Sequence, residues 1–400
     1  MIDFDFDKWC CGCTSCVNAC PSSAITMQSN DEGFLMPHVD IDKCIGCGKC
    51  DRSCPHLNTS EDMSGFSPNS FEGKPAYLYY SKQQERKHSA SGGFVYDAMR
   101  YCINNNGIVC GCAWDEEMKA VHIVSDKMED LHRMQSSKYV QSNMNSCFSD
   151  IKKALKDDRK VVFCGTPCQT AGLNHFLGKV SKDNLITISL ICHGAASPLV
   201  WDKWVGIMES KYHAKLVNVN MRDKSYKGYS TSYCKYTFED ASKTFSLGMP
   251  TYLADPYIFL FTDDLFLRKS CNRCQYKADK NGADIIVGDF HASIPSAGNM
   301  GCSCVLAMTE KGDSLIKSLD GVLIQSGFQN VGIVNPMLWS SVRESSKRQS
   351  FFEDLKNEKV DLSLFKKYLP LRFKIKKLLN QIGVFNLYLT AKRRCISILK

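Results

Sequence analysis

The chain has 400 residues, 44% hydrophobic and 23% charged, a balance that builds a packed core and excludes a disordered or fibrous protein. Its net charge is +8, but the stretch after Asp361 holds ten Lys or Arg and no acid, leaving −2 for the rest; a nucleic-acid-binding surface is not expected. Nine of the 22 cysteines fall between Cys10 and Cys54. The opening MIDFDFDKWC is acidic, without the apolar run of a secretory signal, and no run of 18 apolar residues reads as a membrane span. Disulfides call for an oxidising compartment, so reduced, metal-binding thiols in the cytoplasm are the expectation.

In chain order, the first unit covers 1–62 and is expected as an α+β ferredoxin-like module. Cys10, Cys13, Cys16 and Cys20 recur as Cys44, Cys47, Cys50 and Cys54, each 34 residues on, and Pro21 recurs as Pro55. Each half reads C-x-x-C-x-x-C-x-x-x-C-P. Three cysteines on a short loop bind one 4Fe–4S cubane, and the fourth reaches the other cluster. One cluster would take Cys10, Cys13, Cys16 and Cys54; the second would take Cys44, Cys47, Cys50 and Cys20. Small residues between ligands (Gly12, Ser15, Gly46, Gly48) let backbone N–H groups approach the cluster sulfurs. Zinc motifs use four ligands in two pairs and do not call for eight thiols in this doubled spacing. Cys11 falls outside the pattern and reads as a bystander.

Residues 63–75, rich in Ser, Gly and Pro, read as a linker, and 76–345 as the large domain. There the pattern predicts strands over 108–110, 120–125, 161–164, 185–192, 217–221, 285–287 and 303–308. Helices are predicted over 94–102, 147–156, 170–177, 198–210 and 312–319. This alternation predicts an α/β domain with a mixed sheet. The loop HSASGGF puts Ser89, Ser91, Gly92 and Gly93 before a helix, which is either an anion cradle suited to a pyrophosphate or an ordinary N-cap. Lys138, in SKYVQS, is either a phosphate partner or a surface lysine. VVFCGTPCQ ends a buried strand in a turn carrying Thr166, where open sheets bind ligands. Cys192 ends another strand, followed by His193, and Cys271 and Cys274 form a CxxC.

The ordered series SxSGG, SKYVQS, GTPCQ, CHG, RDK (Arg222 to Lys224), SCxxCxY and ADIIVGD, behind the Cys-rich unit, resembles the coenzyme F420 hydrogenase/dehydrogenase beta-subunit family. The resemblance runs from Trp9 to about Lys311. It implies a flavin, FAD or FMN, in the large domain beside a third 4Fe–4S cluster. Carried onto this chain, that cluster's ligands are Cys168, Cys192, Cys271 and Cys274, with Cys164 as the substitute. Their bland reading is as small buried hydrophobes. Two positions depart from the family pattern: His291 follows Asp289-Phe290, and Ser89-Ala90-Ser91 replaces three serines.

From 346 to 400 a basic amphipathic helical tail is expected. Leu371, Ile375, Leu378, Leu379, Ile382, Phe385 and Leu389 stand at helical spacing among lysines, which suits either peripheral contact with an anionic membrane or packing on the main domain. The resulting expectation is a cytoplasmic iron–sulfur flavoprotein oxidoreductase. It would pass electrons between a ferredoxin or another redox protein and coenzyme F420 or another small molecule. His193 and His291 are candidate acids by position alone. Two alternatives stay open: an electron-transfer subunit without its own substrate, and an accessory protein of bacterial polysaccharide synthesis.

Overall fold

The 34-residue repeat is repeated in the backbone of the N-terminal unit. Gly12 and Gly46 share a left-handed φ (67° and 65°), as do Thr14 and Gly48 (61° and 64°). Each pair leads into a five-residue helix, Ser15–Ala19 and Lys49–Ser53, which Cys20 and Cys54 end in extended conformation. Glycine adopts this φ without cost. Thr14 is β-branched and does so at about 1–3 kcal/mol, so the thiol loop imposes the shape even where the residue resists it. An antiparallel hairpin, β1 (Ile25–Ser29) and β2 (Leu35–Val39), separates the halves.

The computed structural model describes residues 2–59, 71–251, 253–292, 294–330, 335–357 and 359–381; most of the expected linker lies outside them. The large domain is α/β. Its strands are β3 (Ala76–Ser81), β4 (Ile108–Trp114), β5 (Ala120–Ser125), β6 (Val161–Gly165), β7 (Leu185–Leu190), β8 (Lys215–Asp223), β9 (Tyr233–Glu239), β10 (Thr244–Pro250), β11 (Ile285–Asp289), β12 (Ser303–Ala307) and β13 (Gly321–Ser326). Eight form one mixed sheet in the order β13-β3-β12-β11-β7-β6-β4-β5. Its centre, β11-β7-β6-β4, is parallel, and the flanking strands are antiparallel.

Side chains alternate across these strands. Val109, Val162, Cys164 and Ile188 face one way, packing with Phe94, Met99 and Leu315 of helices Phe94–Asn104 and Glu310–Ser318. Ile108, Cys110, Val161 and Phe163 face the other, against Phe148, Ile151 and Leu173 of helices Cys147–Lys156 and Pro167–Leu177. The parallel centre is thus covered on both sides, as parallel sheets require.

A second sheet, β10-β9-β8, is antiparallel. It shares a core with helices Pro198–Tyr212 and Pro256–Thr262 and with the C-terminal helices Arg348–Asn357, Leu362–Tyr368 and Leu371–Gln381. The stretch from 346, expected as a basic tail, is therefore core up to Phe373: Phe351, Phe352, Leu355, Leu364, Phe365 and Tyr368 are buried with Trp204 and Tyr257. Leu371, Ile375 and Leu378, on the last helix, are exposed. Ile382, Phe385 and Leu389 lie outside the described residues. Among the described residues, no helix is long and apolar enough to cross a membrane.

The cysteine-rich unit sits on the large domain through specific contacts. A Cβ at Gly172 would stand 2.9 Å from Cys13 Sγ, so only glycine lets helix Pro167–Leu177 approach the first thiol loop. Ser15 donates to Ser53 O (2.7 Å) and Gly172 O (3.1 Å), joining both halves to that helix. Its hydroxyl is spent on this joint. At the hairpin turn, Gly33 packs on Leu199, Ser197 donates to Glu32 O at 2.5 Å, and buried Arg348 grips the Glu32 carboxylate with both Nη groups.

Candidate functional site

The thiols gather in three sets. Cys16 is pushed up by burial and then by Cys10 and Cys54, and Cys13 feels Cys54 and Cys16; Cys10, Cys13, Cys16 and Cys54 therefore share one spot. Cys20, Cys44, Cys47 and Cys50 line a separate small cavity of about 20 Å³. Each fourth cysteine has crossed to the other half. Backbone N–H groups already point at sulfur: Gly12 N lies 3.4 Å from Cys10 Sγ and Ala24 N 3.2 Å from Cys20 Sγ. Cys50 adds to the field on Cys16, so the two sets are neighbours.

The third set is assembled from distant segments. Burial pushes Cys192 up, and Cys271, Cys168 and Cys274 add to it; burial likewise raises Cys271, with Cys274 and Cys168 adding. Cys271 Sγ accepts the Ala195 N–H at 3.3 Å, and Cys168 Sγ lies 3.2 Å from Thr166 Oγ1. Buried thiols crowded together resist ionisation, and a bound cation reverses that by holding them as thiolates. Among the described residues, no three such groups converge on a single-ion site; a cubane asks for something wider, since each thiolate binds its own iron. Cys164 stands apart, beside Cys112 and Lys138.

Cys11 joins the first and third sets. Its half-buried thiol is raised by Cys13 and in turn raises Cys168, which places it beside both, where the sequence suggested a bystander. Arg268 completes the joint. It is 1% exposed and donates to Cys10 O (2.6 Å), Gln141 Oε1 (2.9 Å) and Leu35 O (3.0 Å). A buried guanidinium held by neutral acceptors keeps its positive field for the thiols around it, Cys168 and Cys271 among them.

Beyond the third set opens a cavity of about 670 Å³, at the carboxyl ends of the parallel strands, where open α/β sheets bind ligands. Cys11, Cys168 and Cys192 border it at one side. Of the sequence candidates, Ser89, Ser91, Gly93, Lys138, Thr166 and His193 line it. Gly92 does not: a Cβ there would meet Tyr79 O at 2.2 Å, so this glycine lets the loop lie on β3. Ser91 donates to Cys302 O (2.7 Å). Thr166 closes a capping box with Gln169 on helix Pro167–Leu177, which aims Cys168.

Lys138 is the informative cation. Among the described residues its Nζ donates to Gln135 O alone, at 2.7 Å, and no carboxylate pairs with it. Its free surface borders the cavity while protein packs the rest, and burial lowers it to about 8. An unpaired, half-buried ammonium beside a cavity suits an anionic ligand group. His122 also borders the cavity: burial lowers it to about 4, Nε2 lies 3.3 Å from Cys164 O, and among the described residues Nδ1 has no hydrogen-bond partner. It is thus a neutral imidazole with a free polar atom. No sequence signal marked it, since it sits on an edge strand of ordinary pattern.

The RDK segment explains its own place in the series. Arg222 pairs with Asp289 at 2.9 Å and donates to Tyr139 Oη at 3.2 Å, joining three motif segments at the cavity wall. Lys224 stands behind the Ser89–Gly93 loop, bonded to Ser91 O (2.8 Å) and Met300 O (2.6 Å), where burial lowers it to about 7. His193 Nε2 lies 2.7 Å from Asp264 Oδ1 but off the line of a hydrogen bond. His291 faces Tyr229 OH at 3.5 Å.

Residues 158–325 match the family described as the C terminus of the coenzyme F420 hydrogenase/dehydrogenase beta subunit, and residues 9–58 match the 4Fe-4S dicluster domain. The chain is 28% identical over 170 residues to the coenzyme F420-dependent sulfite reductase of Methanocaldococcus jannaschii, covering 41% of this chain and 24% of that protein. It thus spans about a quarter of that relative's length. The ketoisovalerate oxidoreductase subunit VorC of Methanothermobacter marburgensis is 33% identical over 54 residues, 13% of this chain and 68% of that one. Among solved structures, a chain of the F420-reducing NiFe hydrogenase complex from Methanosarcina barkeri aligns over 72% of this chain and 95% of its own, with a TM-score of 0.43 and 15% identity. Residues 158–325 thus belong with the C-terminal region of the coenzyme F420 hydrogenase/dehydrogenase beta-subunit family, and the doubled cysteine motif ahead of them is a 4Fe–4S dicluster domain.

Proposed function

We propose that this chain is an iron–sulfur, flavin-dependent oxidoreductase that exchanges electrons between a protein carrier and a small organic substrate. One observation carries the reading: three thiol sets stand in series, and the last borders a cavity with an unpaired lysine. When bound, a flavin supplies two-electron hydride chemistry and single-electron release, which suits one-electron clusters beside it. The twelve cysteines of the three sets would hold the clusters. The Ser89–Gly93 loop, Lys138 and His122 would hold the flavin, with Lys138 at a phosphate. Arg268 and Cys11 keep the first and third sets in contact, and the cap at Thr166 keeps Cys168 in place.

Anaerobic purification with iron, sulfide and flavin quantitation tests this. About twelve irons and one flavin per chain are expected; a colourless, zinc-binding protein without flavin would overturn it. The relative VorC is a ketoisovalerate oxidoreductase subunit, which favours a second reading, a relay without its own substrate. A relay would reduce dyes alone yet turn over no small molecule.

Lys138 makes a pH test of the cavity. Substituting Lys138→Met is expected to weaken flavin retention about tenfold, the ~1.4 kcal/mol of one lost charge-assisted contact. Anion binding favours the ammonium, so wild-type affinity should fall as pH rises past about 8. In the variant this slope should vanish. The flavin-free protein should behave oppositely. The lysine's folded value lies below its unfolded one, so stability without an anion rises with pH between about 8 and the ordinary lysine range. Flavin fluorescence and thermal melts from about pH 7 to 10 read both slopes.

A further inference from the structure

Beside the second thiol set runs a groove of about 680 Å³ that the cavity chemistry does not use. Lys49 and Arg52 of the second half line it, with Lys152, Lys153 and Lys156 of helix Cys147–Lys156 and Lys179 beyond. Among the described residues no acid lines it; Asp51, Asp150 and Asp157, the acids nearest in sequence, are not part of its wall. None of the six cations forms an ion pair among the described residues, and all but half-buried Lys152 are exposed. Outside the tail the chain sums to −2, so this concentration of positive charge is local.

The groove is tied to the most accessible thiol. Arg52 Nη2 donates to Cys47 O at 3.1 Å, and Cys47 is the one exposed cysteine of the second set. Just ahead of Cys47 in the chain, Ile41 and Ile45 are 65% and 68% exposed. A small apolar spot over a redox edge with a charged flank suits brief, steered encounters between electron-transfer proteins.

We propose that this groove and the Cys47 loop form the docking face for an acidic one-electron carrier protein. The inference rests on the clusters of the preceding reading and adds the place of entry. In the encounter the carrier's reduced centre loses one electron and the second cluster gains it; no proton or bond changes partner. Charge complementarity sets the carrier's chemistry: its face must be acidic around its own centre.

The test uses the full-length, cluster-loaded chain with an acidic plant-type ferredoxin as probe and a basic cytochrome c as control. Wild-type protein should bind the ferredoxin and not the cytochrome, with affinity falling as salt rises. The triple variant Lys152→Glu, Lys153→Glu, Lys156→Glu should bind the ferredoxin about tenfold more weakly at low salt. Its cluster bleaching by reduced ferredoxin should slow about tenfold, while bleaching by dithionite stays unchanged. Lys374→Glu with Lys377→Glu, on the C-terminal helix, should change neither. Equal loss in that control, or ferredoxin binding indifferent to salt and to the triple variant, would overturn the docking face while dithionite bleaching left the clusters standing. Absence of iron and of any bleaching would instead remove both the clusters and the entry point built on them.

Discussion

Replacing Cys271 and Cys274 together with alanine is expected to lower bound iron from about twelve to about eight atoms per chain, a loss of one cubane. Cys271 lies in the 3-10 turn Lys269–Arg273 and Cys274 follows it; both sit with Cys168 and Cys192, which cannot hold a cubane alone. The loss should be confined. The first two sets draw all their thiols from residues 10 to 54, and Arg268 keeps its bonds to Cys10 O and Leu35 O. Dithionite should still bleach the remaining clusters, whereas electron transfer to a flavin bound at the cavity should fall by orders of magnitude. Iron analysis with electron paramagnetic resonance of the reduced sample reads both. A variant that keeps about twelve irons would show that these four cysteines are structural thiols.

Removing the carboxylate of Glu32 should loosen the cysteine-rich unit from the large domain. Arg348 is 3% exposed, packs over Phe352, and donates to Leu267 O as well as to Glu32. Glu32→Ala would leave its guanidinium buried without a counter-charge, a loss of about 3 kcal/mol, toward the lower end for broken buried pairs because Glu32 keeps some solvent contact. The double variant Glu32→Gln with Arg348→Met should be less damaging than Glu32→Ala alone, since neither charge then remains to be desolvated. Urea midpoints measure the difference, and limited proteolysis within 25–39 reports the hairpin's release. If both variants melt together, the pair's charge does not hold the joint.

These two expectations differ in how far they were readable beforehand. The cysteines of the first two sets announce themselves because three ligands lie within ten residues and the fourth follows from a fixed offset. The strands of the parallel centre were readable for a similar reason: β6 and β7 are short apolar runs, and burial on both faces selects such runs. By contrast no strand was expected at β9 and β10, although Cys234, Tyr236, Phe238 and then Phe245, Leu247, Met249 alternate with more polar or smaller neighbours, the period of a half-buried strand. β3 was missed because the linker composition runs up to Lys74 and Pro75. Glu32 and Arg348 stand 316 residues apart, and nothing local in either segment hints at the pair.

Taken alone, the amino-acid order determined the duplicated thiol loops, the α/β alternation and the family series, because each is written in spacing within a few turns of chain. The tertiary structure decided that Cys11 and Arg268 stand between two of the thiol sets, and that Lys138 lies unpaired at a cavity. It also turned residues 348–373 from an expected tail into core. These depend on contacts across more than a hundred residues, where burial and charge are set by what the fold brings alongside.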